Sequence, residues 1–185
     1  MKVVTITGYK AHELGLFNAK DPAITYIKQA IKKELRDMLD EGLEWVLISG
    51  QLGVELWGAE VVLQLQEEYP HLQLAVLTPF QKQEEKWNEQ NRELYESITI
   101  NADFFDSISH KPYESPQQFR QKNVLFLQKS DATLLLYDEE KEGSPKYYFQ
   151  LAKQYQEKYP YDIRQITFQD LQNIVEEEQL KNQEW

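Results

Sequence analysis

Cysteine is missing from all 185 residues, and with it go disulfide bonds, thiolate nucleophiles and thiolate metal ligands. Histidine occurs three times, as His12, His71 and His110. These are scattered, without H-x-x-x-H or H-E-x-x-H spacing, so no metal-hydrolase signature is present and no metal site is expected. Cations are also scarce: 20 Lys and Arg stand against 31 Asp and Glu, a formal net charge of −11. A surface this acidic repels phosphate backbones unless a basic patch is hidden in it, which disfavours nucleic acid as a partner. No apolar run is long enough to cross a bilayer, and Met1-Lys2 leads straight into Val3-Val4-Thr5-Ile6-Thr7 with no signal-peptide core. The expected location is the cytoplasm, without membrane insertion. With only 7 glycines and 7 prolines, the chain has no linker or low-complexity tract. Its length and 41% hydrophobic content read as one domain over residues 1–185.

What is present is an alternation of apolar strands and helices. Val3 to Thr7, Val46 to Ile48, Leu72 to Thr78 and Asp131 to Tyr137 read as strands, with weaker ones at Ala102 to Ser107 and Ile163 to Thr167. Between the first two, Asp21 caps a helix with Pro22 at its first position; Ile24, Ile27, Ile31, Leu35 and Met38 form its stripe and Gly42 ends it. A second helix runs from Val54 to about Tyr69-Pro70. A polar helix is expected from Gln83 to Ile98, with Trp87, Asn91, Leu94 and Ile98 in one row. Ser115-Pro116-Gln117-Gln118 has the form of a capping box, and Ser144-Pro145 opens a helix with Tyr148, Leu151, Ala152, Tyr155 and Tyr159 on one face, closed by Pro160. A last helix spans Phe168 to about Leu180, leaving Lys181 to Trp185 as a frayed end. Apolar strands alternating with helices predict an α/β fold, three-layered and Rossmann-like, with a mainly parallel sheet.

In such sheets ligands bind beyond the carboxyl ends of the strands. The most informative exit is Ile48-Ser49-Gly50-Gln51-Leu52-Gly53-Val54-Glu55, where the pattern switches from strand to helix across a glycine-bearing turn. A helix N-terminus presents unsatisfied N–H groups and the positive end of the peptide dipoles, a seat for phosphate. The same glycines would equally serve a turn with no ligand. From the first strand come Gly8, Tyr9 and Lys10, the last a candidate phosphate ligand; from the second, Ser49, Gly50, Gly53 and Glu55; from the third, Thr78 and Phe80. Glu55 suits a helix first turn structurally, and suits ribose hydroxyls or acid-base work functionally. Trp57, Phe80, Trp87 and Tyr113 are candidates to stack on a base or to fill the core. Asn91, in an apolar row, needs a buried partner or a ligand. Asp138-Glu139-Glu140 could hold Mg²⁺ beside a phosphate, but reads first as a solvated charge run. No G-x-S-x-G elbow and no G-x-x-x-x-G-K-[ST] loop occurs.

Taken together, Thr7-Gly8-Tyr9, the Ile48 to Ala59 turn and helix, Thr78-Pro79-Phe80 with Trp87-Asn88 and Asn91-Arg92, and Tyr137-Asp138-Glu139 with Gly143 to Tyr148 resemble the YpsA family of Firmicutes. That family sits in a superfamily with the DNA loader DprA and the LOG nucleotide hydrolases. The S-G-x-x-x-G-x-[DE] element is similar to the DprA turn, with Glu55 where an Asp is usual. The resemblance implies a nucleotide or ADP-ribose-like ligand at Gly50, Gly53 and Glu55, and a link to bacterial growth and cell division. The P-G-G-x-G-T-x-x-E motif of the LOG enzymes is absent: the corresponding stretch reads Tyr137-Asp138-Glu139-Glu140-Lys141-Glu142-Gly143-Ser144. The leading expectation is therefore a nucleotide-binding sensor or regulator. The alternatives are a nucleotide hydrolase using Glu55 and a DprA-like single-strand DNA binder. No residue names a protein partner.

Overall fold

In the computed structural model, which describes residues 1–183, six strands alternate with helices: β1 Val3–Gly8, α1 Pro22–Asp40, β2 Trp45–Ile48, α2 Val54–Leu65, β3 Gln73–Thr78, α3 Glu89–Asn101, β4 Phe104–Ser107, α4 Gln117–Lys129, β5 Ala132–Leu136, α5 Pro145–Gln156, β6 Asp162–Ile166 and α6 Phe168–Gln183. The strands form one sheet in the order β4-β3-β2-β1-β5-β6, and every pairing is parallel. The chain steps outward from β1 to β4, then crosses back to place β5 on the other side of β1. Val4 thus lies beside Val46 on one flank and Ala132 on the other. This reversal between β1 and β5 is the switch point of a doubly wound sheet, where connections leave toward opposite faces and open a crevice.

Period-2 alternation sends Val4, Ile6, Val46, Ile48, Leu74, Val76 and Leu134 to one face. There they pack with Ile27, Ile31 and Leu35 of α1, Leu56 and Val62 of α2, Ile98 of α3 and Ile174 of α6. The other face is covered by α4 and α5. Its cluster is smaller, built on Leu47, Phe126, Leu127, Tyr148, Ala152 and Tyr161, and it contains buried hydroxyls. Tyr161 OH lies 2.8 Å from Ser130 Oγ, and Thr133 Oγ1 bridges the phenols of Tyr161 and Tyr148.

Local rules account for most boundaries. Asp21 Oδ1 accepts the Ala23 N–H at 2.9 Å, and Pro22 begins α1. The start of α3 differs from the sequence expectation: residues 81–87 form turns and the helix begins at Glu89, because the Asn88 side chain accepts the Asn91 N–H at 2.8 Å and caps it there. Trp87 consequently lies outside the helix, and Asn91 stands half-buried in its otherwise exposed first turn rather than in a buried apolar row. At α4 the Ser115 hydroxyl does not cap; instead Gln118 Oε1 accepts the N–H groups of Glu114 and Ser115 at 2.7 and 3.2 Å. α2 ends at Leu65, ahead of Tyr69-Pro70, and α6 continues to Gln183 through part of the expected frayed end. The rest of that end, residues 184 and 185, lies outside the described residues.

Candidate functional site

Two glycines shape the exit of β2. Gly50 has φ +82° and Gly53 φ +99°, left-handed conformations that side chains resist. At Gly53 the reason is close packing as well: a Cβ would stand 2.5 Å from the Tyr9 carbonyl oxygen and 2.6 Å from the Ala11 nitrogen. The turn is thereby locked to the loop after β1, and the Val54 N–H donates to the Tyr9 carbonyl at 3.2 Å. Gly8 is required for the same kind of reason, since a Cβ there would meet Val54 at 2.8 Å and the Leu136 carbonyl at 2.9 Å.

Glu55 ties the two strand exits together. It is only 5% exposed; its Oε1 accepts the Ser49 N–H and the Ser49 hydroxyl, each at 2.7 Å, and its Oε2 accepts the Thr7 hydroxyl at 3.3 Å. The turn's amides divide. Those of Ser49, Leu52 and Val54 are taken by Glu55, the Gln51 side chain and Tyr9. Among the described residues, those of Gly50, Gln51 and Gly53 make no hydrogen bond within the chain.

In front of this turn lies a cavity of about 470 Å³, within the size range of small-molecule sites. β1 and its loop contribute Thr7, Gly8 and Lys10; the β2 exit contributes Ser49, Gln51 and Glu55; the β3 exit contributes Pro79 and Gln83. The first turns of α4 supply Pro116, Phe119, Arg120, Lys122 and Asn123, and those of α5 supply Ser144, Pro145, Tyr147 and Tyr148. Three cations and one carboxylate therefore share this wall in a chain of net charge −11. Lys122 Nζ sits 5.4 Å from the Phe126 ring centre and 5.9 Å from that of Tyr148. Burial lowers the Lys122 pKa; the negative charge of Glu55 opposes that shift and the positive charge of Lys10 adds to it. Tyr148, whose pKa burial raises well above the usual phenol value, is held neutral. Asn123 Oδ1 is buried in this wall and has no hydrogen-bond partner among the described residues.

Two clamps hold the rim. Glu13 accepts the Lys10 N–H at 2.8 Å, the Ser144 N–H at 2.7 Å and the Ser144 hydroxyl at 2.6 Å. The Tyr9 hydroxyl, beneath the loop after β5, donates to the Lys141 carbonyl at 2.6 Å and accepts the Asp138 N–H at 3.0 Å.

Of the residues singled out from sequence, Gly8, Lys10, Ser49 and Glu55 are brought together on the cavity wall. Gly50 and Gly53 stand behind it, Gly50 against Gln83 and Tyr95. Tyr9 is fully buried below the rim. Thr78 is buried, its carbonyl accepting the Ile108 N–H at 2.8 Å. Phe80 meets Tyr113 and Phe119 edge-on at 5.2 and 5.5 Å, backing the cavity's Phe119. Trp87 packs edge-on against Tyr95 at 5.5 Å, and neither it nor Asn91 borders the cavity. The α4 and α5 contributions carry no binding motif in the sequence. Their signal is the spacing Phe119, Lys122, Asn123, which puts three contact-making side chains on one helical face. Asp138 caps the loop and α6, accepting the Glu140 and Phe168 N–H groups. Among the described residues, no group of three or more His, Asp or Glu is placed to hold a metal ion, and no helix is long and apolar enough to cross a membrane.

A doubly wound parallel sheet with a cation-bearing cavity at its switch point defines a Rossmann-like α/β protein. Sequence comparison gives the family. The YpsA model, described as the YspA SLOG family, matches residues 4–171. The UPF0398 protein YpsA of Bacillus subtilis is 58% identical over 178 residues, covering 96% of this chain and 99% of that one. A UPF0398 protein of Bacillus velezensis is likewise 58% identical over 178 residues, 96% and 98% of the two chains. One from Halalkalibacterium halodurans is 55% identical over 182 residues, 98% and 96%. The chain belongs to the YpsA SLOG family.

Proposed function

We propose that this protein binds a nucleotide or nucleotide derivative in the switch-point cavity and acts as a cytoplasmic sensor or regulator. The observation that carries the reading is the convergence of Lys10, Arg120 and Lys122 on one cavity of a strongly acidic chain. Lys10 and Arg120 receive the anionic end, Arg120 with the planar fork that suits phosphate. Phe119 and Tyr147 offer faces for a base, Tyr147 being 71% exposed at the rim. The Asn123 oxygen calls for a donor such as an exocyclic amine, because a buried acceptor left unpaired costs about 1–3 kcal/mol. Both Glu55 oxygens are engaged by Ser49 and Thr7, which favours binding without turnover over hydrolysis by this carboxylate. The link to growth and cell division rests on the family resemblance alone.

The test is a thermal-shift series with AMP, ADP-ribose and a dinucleotide against wild type, Lys10→Met and Arg120→Met. A native-state ligand raises stability by about 2.7 kcal/mol at 100 times its Kd. Wild type should respond and both variants should respond less. Equal shifts in all three, or none in wild type, would reject this site. Release of base or phosphate that disappears in Glu55→Gln would instead establish the hydrolase. A deletion strain with unchanged growth and division would remove the regulatory part.

A further inference from the structure

We propose that the Lys122 amine is a nucleophile that captures a small carbonyl-bearing anion as a Schiff base inside the cavity. The inference uses the same cavity as the nucleotide reading and assigns it a chemistry which that reading does not require.

Lys28, Lys111, Lys146 and Lys181 each stand within ion-pair distance of a glutamate. Lys122 has neither an ion pair nor a hydrogen bond among the described residues, although it projects into the cavity rather than into bulk solvent. Its nitrogen lies over the faces of Phe126 and Tyr148, two rings of the smaller buried cluster. Ring faces attract the cationic form, but they replace few of the hydrogen bonds that an ammonium makes in water. Desolvation favours the neutral amine and its lone pair, and the neighbouring Lys10 charge acts in the same direction, against Glu55. A lysine in an apolar wall beside a second cation is the arrangement that activates this side chain toward carbonyl carbon.

The remaining cations select the ligand. Lys10 and Arg120 line the same cavity, so a phosphate or carboxylate on the incoming molecule has partners while its carbonyl meets Lys122. The neutral amine adds to the carbonyl carbon to give a carbinolamine. Loss of the carbonyl oxygen as water, with the amine's two protons, leaves a C=N bond. No oxidant or reductant is consumed.

The probe is pyridoxal 5′-phosphate at low concentration, with pyridoxal in a parallel arm, each trapped by sodium cyanoborohydride and read by intact mass and peptide mapping. The expected result is one dominant adduct on Lys122, weaker labelling by pyridoxal, and loss of that adduct in Lys122→Arg. Adducts spread over surface lysines of the wild-type protein would overturn the proposal, and this readout needs no variant to fold. Undiminished single-site labelling in Lys122→Arg would overturn it too. Protection by AMP reports on the nucleotide reading separately: labelling of Lys122 that AMP does not block leaves the amine chemistry standing and removes the shared ligand.

Discussion

Against one face of the sheet α1, α2, α3 and α6 press a nearly continuous apolar layer, with Ile31, Leu35, Met38 and Leu56 wholly inaccessible. Against the other the layer is mixed: Phe126 and Leu127 of α4, but also Ser130, Thr133 of β5, Tyr148 of α5 and Tyr161 joined through hydroxyls, and the cavity cations Arg120 and Lys122 of α4. The first face does what a close-packed interior does, converting buried area into stability without directional demands. The second places polar groups at fixed positions, at the cost of having to satisfy each of them. Close apolar packing and fixed polar positions are thus divided between the two sides of one sheet, and Glu55 of α2 ties the exits of β1 and β2 together.

That division can be broken by experiment. The largest effect is expected from Leu35→Ala on the apolar face, about 2–5 kcal/mol in urea unfolding as packing is lost and a cavity left behind, with the ligand response of the folded protein unchanged. Thr133→Val keeps the volume but removes the hydroxyl between Tyr148 and Tyr161; a loss of about 1–3 kcal/mol is expected for a buried group left unpaired. Calorimetry showing no cost would mean that the hydroxyl network is replaceable. Lys10→Met and Arg120→Met should change stability by no more than about 0.5 kcal/mol while weakening nucleotide-induced stabilisation. Large destabilisation by either would show that these cations also hold the fold.

The smallest effect concerns the rim. Burial alone would raise the Glu13 pKa, but hydrogen bonds from the Ser144 hydroxyl and from the Lys10 and Ser144 amides outweigh it, and the net shift is downward. A carboxylate depressed in the folded state stabilises above its unfolded pKa of about 4.3, and loses that contribution as pH falls through the folded value. Glu13→Gln should therefore be less stable than wild type at neutral pH and converge with it in acid, as followed by urea midpoints across pH. A constant gap at all pH values would mean that Glu13 acts by shape alone.

Much of this was legible in the residues. The apolar runs Val3 to Thr7 and Leu134-Leu135-Leu136 mark buried strands, Asp21-Pro22 marks a helix start, and the turn from Ser49 to Glu55 marks a strand exit facing a helix. Gly8, Lys10, Ser49 and Glu55 do line one cavity. Asn91 shows where a periodic pattern misled: the i, i+4 row from Trp87 assumed one helix, but the Asn88 side chain captured the Asn91 amide and began the helix later. Arg120, Lys122 and Asn123 were not visible as site residues, since nothing near them in sequence resembles a binding motif.

What the sequence determined alone are the features settled within a few residues: the strand and helix periods and the Asp21 cap with Pro22 behind it. These follow from steric and hydrogen-bonding preferences that each short segment feels by itself. Only the tertiary structure decided that β5 lies beside β1, and hence that α4 and α5 deliver their cations and aromatics to the exits of β1 and β2. That choice depends on how whole faces of the sheet are buried, a sum over contacts between segments more than a hundred positions apart, as in the Val4 and Ala132 pair, which no local pattern encodes.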